Sequence, residues 1–278
     1  MKFASFIHAG RAGWGLVDGD SVADLSGVFP DLKSAIAADG LTFAASRAAA
    51  APKIALDQIA YQPVLPNPEK ILCIGLNYAD HVKETGRNDS EFPTVFARFA
   101  NSQIGHQQPL ICPKNSTAFD YEGELAIIIG RAGRHISKAD SWSHIAGYAC
   151  YNEGSVRDFQ RHTHQFHPGK NFPGTGAFGP VMVTPDEVGP LNKLRLQTRV
   201  NGLVVQDALI EQMIFDIPRQ IEYCSSFTRL EPGDVIVSGT PGGVGSRRTP
   251  PLWLKAGDVT EIEIDRVGLL RNSVVNEV

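Results

Sequence analysis

Two acidic side chains, Glu122 and Glu124, stand just ahead of an apolar run that ends at Gly130. The run is typical of a buried strand, and residues two apart on a strand project from the same face of a sheet. The two carboxylates would therefore lie close together, where like charges repel and burial of an unpaired charge is costly. A divalent cation would compensate both charges, and the small Gly123 between them adds no bulk to the opposite face. The alternative is an edge strand that exposes both acids to water.

A third acid, Glu153, follows a predicted apolar strand over residues 145–151. Carboxylate oxygens without a neighbouring set of Cys and His ligands favour Mg²⁺, Mn²⁺ or Ca²⁺ over Zn²⁺. Three carboxylates around one divalent cation leave about one negative charge. An anionic substrate would then need cationic partners, and the sequence offers Arg98, Arg157 and Lys170.

His81 and Glu84 lie on a predicted helix for which Asn77 is the candidate N-cap. Residues three apart on a helix can touch. A carboxylate beside an imidazole fixes its tautomer and raises its basicity, as a general base requires. The alternative is an incidental pair on a surface helix. The polar segment 86–92 follows this helix, and its composition predicts a mobile lid.

Thr240 lies in the glycine-rich segment 238–245, directly after a predicted buried strand. Such a segment offers backbone N–H groups and the Thr240 hydroxyl to an anion. The sequence has neither of the glycine motifs that bind nucleotide phosphates, so a nucleotide site is not expected.

Two further groups of polar residues give weaker indications of a role in the site. The spacing of three histidines does not make a ligand set, so we expect structural or surface roles for His162, His164 and His167. A second group could line a pocket for a distal substituent or lie in surface turns: Gln103, His106 and Gln107.

The elements around these residues are mostly predicted strands. Residues 70–76 form a buried-strand pattern, and Asn201-Gly202 predicts the turn of a hairpin over 193–206. An apolar stripe predicts a helix over 214–227, and an Ala-rich segment predicts helix within 31–50. Prolines in 61–68 mark a connector, so we expect a small N-terminal cap domain, 1–66, and a catalytic domain, 67–278.

The composition is that of a globular protein, with 278 residues, 42% apolar and 20% charged. A net charge of −4 gives no general attraction to nucleic acid or to anionic membranes, and we expect neither as a partner. We find no secretory signal and no apolar run of membrane-spanning length. The four cysteines are far apart and include no C-x-x-C pair, which favours a reducing cytoplasm over a disulfide framework.

Five stretches together resemble the fumarylacetoacetate hydrolase (FAH) superfamily. They occur in that family's order: GLNYADH at 75–81, DYEGELA at 120–126, SVRDFQ at 155–160, GKNF at 169–172 and SGTPGGVG at 238–245. The resemblance covers about residues 69–275 and extends to the N-terminal cap of bacterial members. It implies an α+β, predominantly β fold, a mixed β-sandwich or β-roll of the FAH C-terminal type with a small cap. It also implies a homodimer that binds Mg²⁺ or Mn²⁺, with Ca²⁺ as a possible non-native occupant.

The resemblance also assigns roles to individual residues. The family's metal acids fall on Glu122, Glu124 and Glu153. Its catalytic pair falls on His81 and Glu84, on a helix that orders when substrate binds. Its substrate contacts fall on Lys170, Arg157, Gln160 and Thr240, and Lys170 is also expected to be catalytic, because its charge would offset the negative charge that develops in the reaction. The family usually has Asp where this chain has Glu153, and often has Lys where this chain has Arg98. Because arginine cannot shuttle a proton, Arg98 is expected to anchor a substrate carboxylate.

The resemblance implies hydrolysis of a C–C bond in an acylpyruvate such as fumarylpyruvate or maleylpyruvate, as in aromatic catabolism. His81, oriented by Glu84, would deprotonate water for attack on the distal carbonyl, and pyruvate and a carboxylic acid would leave. The alternatives are an oxaloacetate-type decarboxylase and a hydroxymuconate-type isomerase. A further alternative is a protein that binds a metal and an anion without catalysis. The intact pair of His81 and Glu84 argues against this alternative, because binding alone needs no oriented base.

Overall fold

Short strands with buried inner faces make up most of the chain in the computed structural model, which describes residues 1–85 and 90–278. Nineteen strands occur in these residues: β1 (Lys2–His8), β2 (Arg11–Asp18), β3 (Ser21–Asp24), β4 (Lys53–Ala55), β5 (Ala60–Tyr61), β6 (Ile71–Gly75), β7 (Thr94–Arg98), β8 (Gln103–Ile104), β9 (Leu110–Cys112), β10 (Phe119–Asp120), β11 (Gly123–Ile129), β12 (Ile145–Glu153), β13 (Ser155–Val156), β14 (Gly176–Val183), β15 (Arg195–Val200), β16 (Leu203–Leu209), β17 (Val235–Val237), β18 (Val259–Ile264) and β19 (Gly268–Asn276).

Helices are short and lie between the strands. The α-helices of the same residues are α1 (Leu32–Ala37), α2 (Leu41–Ser46), α3 (Ala79–Thr85), α4 (Arg157–Gln160), α5 (His167–Lys170), α6 (Pro185–Val188) and α7 (Ile217–Phe227). Single 3-10 turns occur at Ala48–Ala50, Leu56–Gln58, Ala100–Ser102, Ser141–His144, Ile210–Gln212 and Gly245–Arg247. Within the described part of the chain, no helix combines the length and apolar character needed to cross a membrane.

Two large sheets organise the described residues. The larger has twelve strands, in the order β4-β3-β2-β1-β14-β12-β11-β17-β6-β7, with β5 beside β1 and β8 beside β14. The smaller has five strands, in the order β16-β15-β18-β19-β9, and β10 and β13 form a separate pair. Strand β11 is buried at every position because it lies in the middle of the larger sheet and both of its faces are covered.

The two faces of β11 contribute to different cores. Leu125 and Ile127 belong to an apolar cluster that includes Ile262 of the smaller sheet. Ala126 belongs to a second cluster on the opposite face, formed with the first strands and helices α1 and α2. A Cβ atom at Gly123 would lie 2.0 Å from Thr198 Oγ1 of β15, so glycine lets the smaller sheet approach there. The acids beside Gly123 point to the other face, as the strand period predicts.

The predominantly β, mixed β-sandwich fold is thus confirmed. The N-terminal strands continue the larger sheet, because β1 pairs antiparallel with β14. The expected boundary near residue 66 falls between β5 and β6. The division into domains 1–66 and 67–278 stays a prediction.

Most of the predicted elements are present with shifted ends. The hairpin is formed by β15 and β16, and both Asn201 and Gly202 have positive φ. Helix α7 starts three residues later than predicted, and Asp216 caps it. The Ala-rich segment contains the predicted helical structure as two short helices, α1 and α2. The predicted lid begins with residues 86–89, which lie outside the described residues.

The predicted N-cap role of Asn77 is wrong. Helix α3 begins at Ala79, and the buried Asn77 amide instead binds backbone groups of two distant segments. It donates to Ser238 O at 2.7 Å and accepts from the Phe215 N–H at 2.7 Å. Asn77 therefore attaches the start of α3 to the glycine-rich segment.

Candidate metal and acid–base site

Three buried glutamates meet where β11 begins and β12 ends. Gly123 pairs with Asn152 in the antiparallel register, which places Glu122 beside Glu153. The Glu153 N–H donates to Glu122 O at 2.8 Å. One carboxylate oxygen from each of Glu122, Glu124 and Glu153 lies within 4.8 Å of the others. The predicted cluster of metal ligands therefore exists as a geometric unit.

Two buried cations contact this cluster. Lys170 Nζ lies 2.8 Å from Glu153 Oε2 and also contacts Glu122. Arg157 Nη2 lies 2.7 Å from Glu122 Oε1, and Arg157 Nε lies 2.7 Å from Asp120 Oδ2. Burial alone would raise the pKa of Glu122, but Arg157 and Lys170 hold that pKa well below its ordinary value.

Among the described residues, neither Arg157 nor Lys170 forms a salt bridge with Glu124. Its Oε2 accepts the Gly239 N–H at 2.5 Å. Burial and the charges of Glu153 and Glu122 raise the pKa of Glu124 well above its ordinary value. A further positive charge is therefore needed if all three glutamates are to be ionised together.

The residues present fit a divalent cation. Four carboxylates are buried here, those of Asp120 and the three glutamates, together with two buried cations, Arg157 and Lys170, which form salt bridges with Asp120, Glu122 and Glu153. The two negative charges left over equal the charge of one divalent ion. Glu153 Oε1 is buried and has no hydrogen-bond partner among the described residues, which leaves an oxygen for a ligand. A set of only carboxylate oxygens suits hard cations such as Mg²⁺, Mn²⁺ or Ca²⁺.

The predicted pair of His81 and Glu84 adjoins the cluster. His81 is buried, lines the same cavity as the three glutamates, and lies 3.6 Å from Glu84 through Nδ1 and Oε2. This distance is longer than a hydrogen bond, so a small shift is needed to form one. The other Glu84 oxygen accepts the Gly243 N–H at 2.7 Å, which attaches the end of α3 to segment 238–245.

The Thr240 hydroxyl has a role that the sequence did not indicate. It donates to Gly123 O at 3.0 Å and accepts from Gln206 Nε2 at 2.7 Å. Its hydrogen is thus already used, although Thr240 does line the cavity. Buried Gln206 also accepts the Gly123 N–H at 2.9 Å. Gln206 therefore joins β11 to the glycine-rich segment, and no motif around it predicts this role.

A cavity of about 410 Å³ lies over the cluster. The predicted site residues among its lining are His81, Glu122, Glu124, Glu153, Arg157, Gln160, Lys170 and Thr240. Gln160 Oε1 accepts from Arg157 Nη1 at 2.9 Å, so the donor end of the amide is left for a ligand.

Arg98 is not among the described residues that line the cavity. It is 2% exposed and donates to Gly154 O and Thr175 Oγ1, each at 3.0 Å. This buried position outside the described lining is not the one expected for a side chain that contacts a substrate carboxylate directly. The guanidinium instead holds the backbone that follows Glu153.

Two of the three histidines, for which mostly structural or surface roles were expected, are exposed and also line the cavity. His162 and His164 lie in the loop between α4 and α5, with Arg161 and Thr163. Arg247 and Ser246 line the cavity from the 3-10 turn Gly245–Arg247. The distal residues suggested by the sequence, Gln103, His106 and Gln107, are not among the described lining residues.

The family follows from the sequence match that spans this whole site. The model of the fumarylacetoacetate (FAA) hydrolase C-terminal domain matches residues 70–275. The chain belongs to the fumarylacetoacetate hydrolase family. Residues 1–49 match a second family model, Rv2993c-like, N-terminal.

This FAH family member is similar to proteins named as enzymes. Oxaloacetate tautomerase fahd2, mitochondrial, of Xenopus laevis is 38% identical over 276 residues, 95% of this chain and 86% of the relative. Oxaloacetate tautomerase YisK of Bacillus subtilis is 40% identical over 223 residues, 79% of this chain and 74% of the relative. The crystal structure of maleylpyruvate hydrolase from Sphingobium sp. SYK-6, in complex with manganese(II) and pyruvate, has a TM-score of 0.84 at 28% identity and matches both chains over their full lengths. These likenesses support an enzyme that uses a divalent metal.

Proposed function

We propose that this chain catalyses keto–enol tautomerisation of oxaloacetate. The observation that carries the proposal is the cavity in which His81 and three buried glutamates line one space. Such a site joins a proton acceptor to a position for a divalent cation, as proton transfer next to a carbonyl requires. Sequence identity of 38% and 40% to two oxaloacetate tautomerases supports the choice of substrate.

Glu122, Glu124 and Glu153 would hold the cation, for which we propose Mg²⁺ or Mn²⁺. When bound, the ion supplies Lewis-acid polarisation of a carbonyl oxygen. The donor end of Gln160 and the Lys170 ammonium lie in the same cavity and would orient the 2-oxo acid. The Lys170 charge would also stabilise the oxygen that becomes negative as the enol forms.

His81 would carry the proton. It takes a proton from C3 of the keto acid, the C3–H electron pair becomes the C2–C3 double bond, and the π electron pair of the C2 carbonyl moves onto its oxygen. His81 then delivers the same proton to that oxygen, so that the reaction neither consumes nor releases a proton. Glu84 stabilises the imidazolium once the 3.6 Å separation from Nδ1 shortens. Neither water nor a leaving group is required.

The second candidate is hydrolysis of an acylpyruvate such as maleylpyruvate. The cavity of about 410 Å³ is larger than a four-carbon acid needs, and the likeness to maleylpyruvate hydrolase supports a longer substrate. In that reaction His81 would deprotonate water, which attacks the distal carbonyl; the C–C bond then breaks, and pyruvate and a carboxylic acid leave.

A substrate panel tests both candidates. Freshly dissolved enol-oxaloacetate, with protein and Mg²⁺, is followed by loss of the enol absorbance. Pyruvate release from oxaloacetate, fumarylpyruvate and maleylpyruvate is followed in parallel with lactate dehydrogenase. Faster loss of the enol without pyruvate supports the tautomerase. Pyruvate from an acylpyruvate supports the hydrolase, pyruvate from oxaloacetate supports a decarboxylase, and no turnover of any substrate contradicts both candidates.

The same preparations address the remaining expectations. Mn²⁺ and Ca²⁺ replace Mg²⁺ in parallel assays, and Ca²⁺ is expected to bind without equal turnover. A homodimer and a cytoplasmic location stay predictions, to be checked by light scattering and by cell fractionation.

A further inference from the structure

Asp120 is a fully buried carboxylate that is not among the described residues lining the cavity. Its two oxygens accept four N–H groups. Oδ1 accepts from the backbone of Tyr121 at 2.9 Å and of Gly245 at 2.8 Å. Oδ2 accepts from Arg157 Nε at 2.7 Å and from the Ser246 N–H at 2.9 Å. A carboxylate has about four lone-pair positions, so the bonding capacity of Asp120 is used within the protein.

Three of these donors come from two segments that form different walls of the cavity. Arg157 begins α4, Ser246 lies in the 3-10 turn Gly245–Arg247, and both line the cavity. The register of β10 and β13 pairs Asp120 with Ser155, two residues before Arg157. A Cβ atom at Gly245 would lie 2.6 Å from Asp120 Oδ1, so glycine lets the turn approach the carboxylate. Asp120 therefore fixes both walls to one buried point.

The guanidinium group of Arg157 connects Asp120 to Gln160, which lines the cavity. Nε of Arg157 donates to Asp120, and Nη2 donates to Glu122 Oε1 at 2.7 Å. The third nitrogen, Nη1, donates to Gln160 Oε1 at 2.9 Å. Because a guanidinium is planar, fixing Nε and Nη2 also fixes the direction of Nη1. An amide has its acceptor on one side and its donors on the other, so this bond leaves the NH2 group of Gln160 for a ligand.

We propose that Asp120 is a positioning residue that raises the affinity of the site for 2-oxo acids by fixing, through Arg157, the orientation of the Gln160 amide. The inference rests on the proposed function for the class of ligand, a 2-oxo acid bound next to Gln160. Without the bond at Nε the guanidinium can turn, and the Gln160 amide can then rotate until its oxygen faces the ligand. An amide oxygen repels the oxygens of a 2-oxo acid, whereas the NH2 group donates to them.

Asp120→Asn changes the charge and the bonding of this side chain but not its size. An asparagine amide has one oxygen and one NH2 group, so a donor would face N–H groups on one side of it. The probe is 2-oxobutanoate, a 2-oxo acid that lacks the carboxylate oxaloacetate can lose as carbon dioxide. We expect Asp120→Asn to bind it at least about 10-fold more weakly than wild type. Calorimetry with Mg²⁺ at saturation for each variant gives the affinities.

Asp234→Asn is the matched control. Asp234 is 1% exposed and also holds one basic side chain together with backbone N–H groups. It accepts from Lys70 Nζ at 2.9 Å, from the Lys70 N–H at 3.1 Å and from the Glu231 N–H at 2.7 Å. Asp234 is not among the described residues that line the cavity. We expect both variants to lose thermal stability, but Asp234→Asn should keep its 2-oxobutanoate affinity within about 2-fold of wild type.

A double-mutant cycle with Gln160→Leu tests the route of the effect. If Asp120 acts through Gln160, the double variant should bind 2-oxobutanoate no more than about 2-fold more weakly than Gln160→Leu alone. A general structural role predicts instead that the two losses add. If Asp120→Asn does not fold, Arg157→Lys takes its place in the cycle, because an ammonium group lacks the planar fork that joins Asp120 to Gln160.

Four results overturn the proposal. They are wild-type affinity in Asp120→Asn, equal weakening in Asp120→Asn and Asp234→Asn, additive losses in the cycle, and no binding of 2-oxobutanoate by the wild type. Binding also separates the proposal from the proposed function. Affinity that depends on Asp120 in a protein that does not tautomerise oxaloacetate contradicts the proposed function alone. Tautomerisation by a protein whose 2-oxobutanoate affinity does not depend on Asp120 contradicts the role of Asp120 alone.

Discussion

The ammonium group of Lys170 lies 2.8 Å from Glu153 Oε2 and also contacts Glu122, so one buried cation bridges two of the three glutamates. Burial alone would lower the pKa of Lys170, but these two carboxylates raise it above its ordinary value. The ammonium group is therefore a fixed charge, suited to positioning and electrostatic stabilisation rather than to giving up a proton. Its removal would leave like charges facing each other in the interior.

Lys170→Met is expected to destabilise the metal-free protein by about 3–5 kcal/mol, because it leaves buried carboxylates unpaired. Saturating Mg²⁺ should recover part of this loss by supplying the missing positive charge. Chemical denaturation with and without Mg²⁺ measures both effects. Lys255→Met, at a side chain that is 79% exposed, is the control and should change stability by less than about 1 kcal/mol. Equal stability of Lys170→Met and wild type without metal would contradict the prediction.

Glu153→Gln is expected to lower Mn²⁺ affinity at least about 10-fold, because it removes a charged oxygen from the cluster. Glu153→Asp keeps the carboxylate and should retain more affinity than the amide. Calorimetric titration of Mn²⁺ into metal-free protein gives the values. Glu69→Gln, at an exposed surface glutamate, is the matched control. Unchanged Mn²⁺ affinity in Glu153→Gln would remove Glu153 from the ligand set.

His81→Asn is expected to lower kcat about 10²–10⁴-fold, as loss of a general base does. Glu84→Gln should cause a smaller decrease, because the imidazole remains but its charged form loses a partner. Metal affinity should stay within about 2-fold in both, since neither side chain belongs to the carboxylate cluster. His135→Asn is the control, at an exposed residue whose positive φ asparagine tolerates. Wild-type kcat in His81→Asn would assign proton transfer to another group.

Gln206→Leu is expected to destabilise the protein by about 2–3 kcal/mol, because the buried Gly123 N–H loses its acceptor. Thr240 and Pro241 O lose a donor in the same variant. Urea denaturation measures the loss, and Gln58→Leu on an exposed turn is the control. Equal effects of the two substitutions would mean that the Gln206 bonds contribute little.

Stability is expected to fall as the pH drops from about 6.5 towards 4, in part through His106. Burial of the ring and the charge of Arg271 lower the pKa of His106 to about 4. His106 Nδ1 also accepts the Arg271 N–H at 3.1 Å, which requires the neutral ring. Because the unfolded chain takes up this proton at higher pH than the folded one, acid favours unfolding within that window.

His106→Asn supplies an acceptor that does not titrate, so its stability should depend less on pH there. The difference between variant and wild type should reach about 1–2 kcal/mol, less than the full pKa shift implies because His106 is only partly buried. Denaturation curves at pH 7 and pH 4.5 provide the comparison. Parallel losses in both proteins would assign the acid sensitivity to other groups.

Local patterns in the sequence were sufficient to predict which site residues lie together within one strand or one helix. Strand alternation placed Glu122 and Glu124 on one face, and helix spacing placed His81 near Glu84, because both periods are properties of the backbone. Asn201 and Gly202 predicted their turn for the same reason. The motif resemblance then linked these local pieces to one family and fold.

Contacts between distant segments depended on tertiary structure. The register of β11 and β12 sets Glu122 beside Glu153, and no local rule determines a register across more than twenty intervening residues. Arg98 lies in the interior, where it donates to Gly154 O and to Thr175 Oγ1. Its charge alone suggested a contact with a ligand, and only the tertiary structure showed that the side chain is used in these internal bonds.

Residue type and local period thus identified the acidic strand, the candidate base and the candidate cations. The tertiary structure decided which of them share a cavity, that Thr240 donates to Gly123, and that Asp120 accepts from both Arg157 and the Ser246 N–H. The physical reason is that hydrogen bonds and burial between elements far apart in the chain depend on how the sheets pack, which a local pattern does not encode.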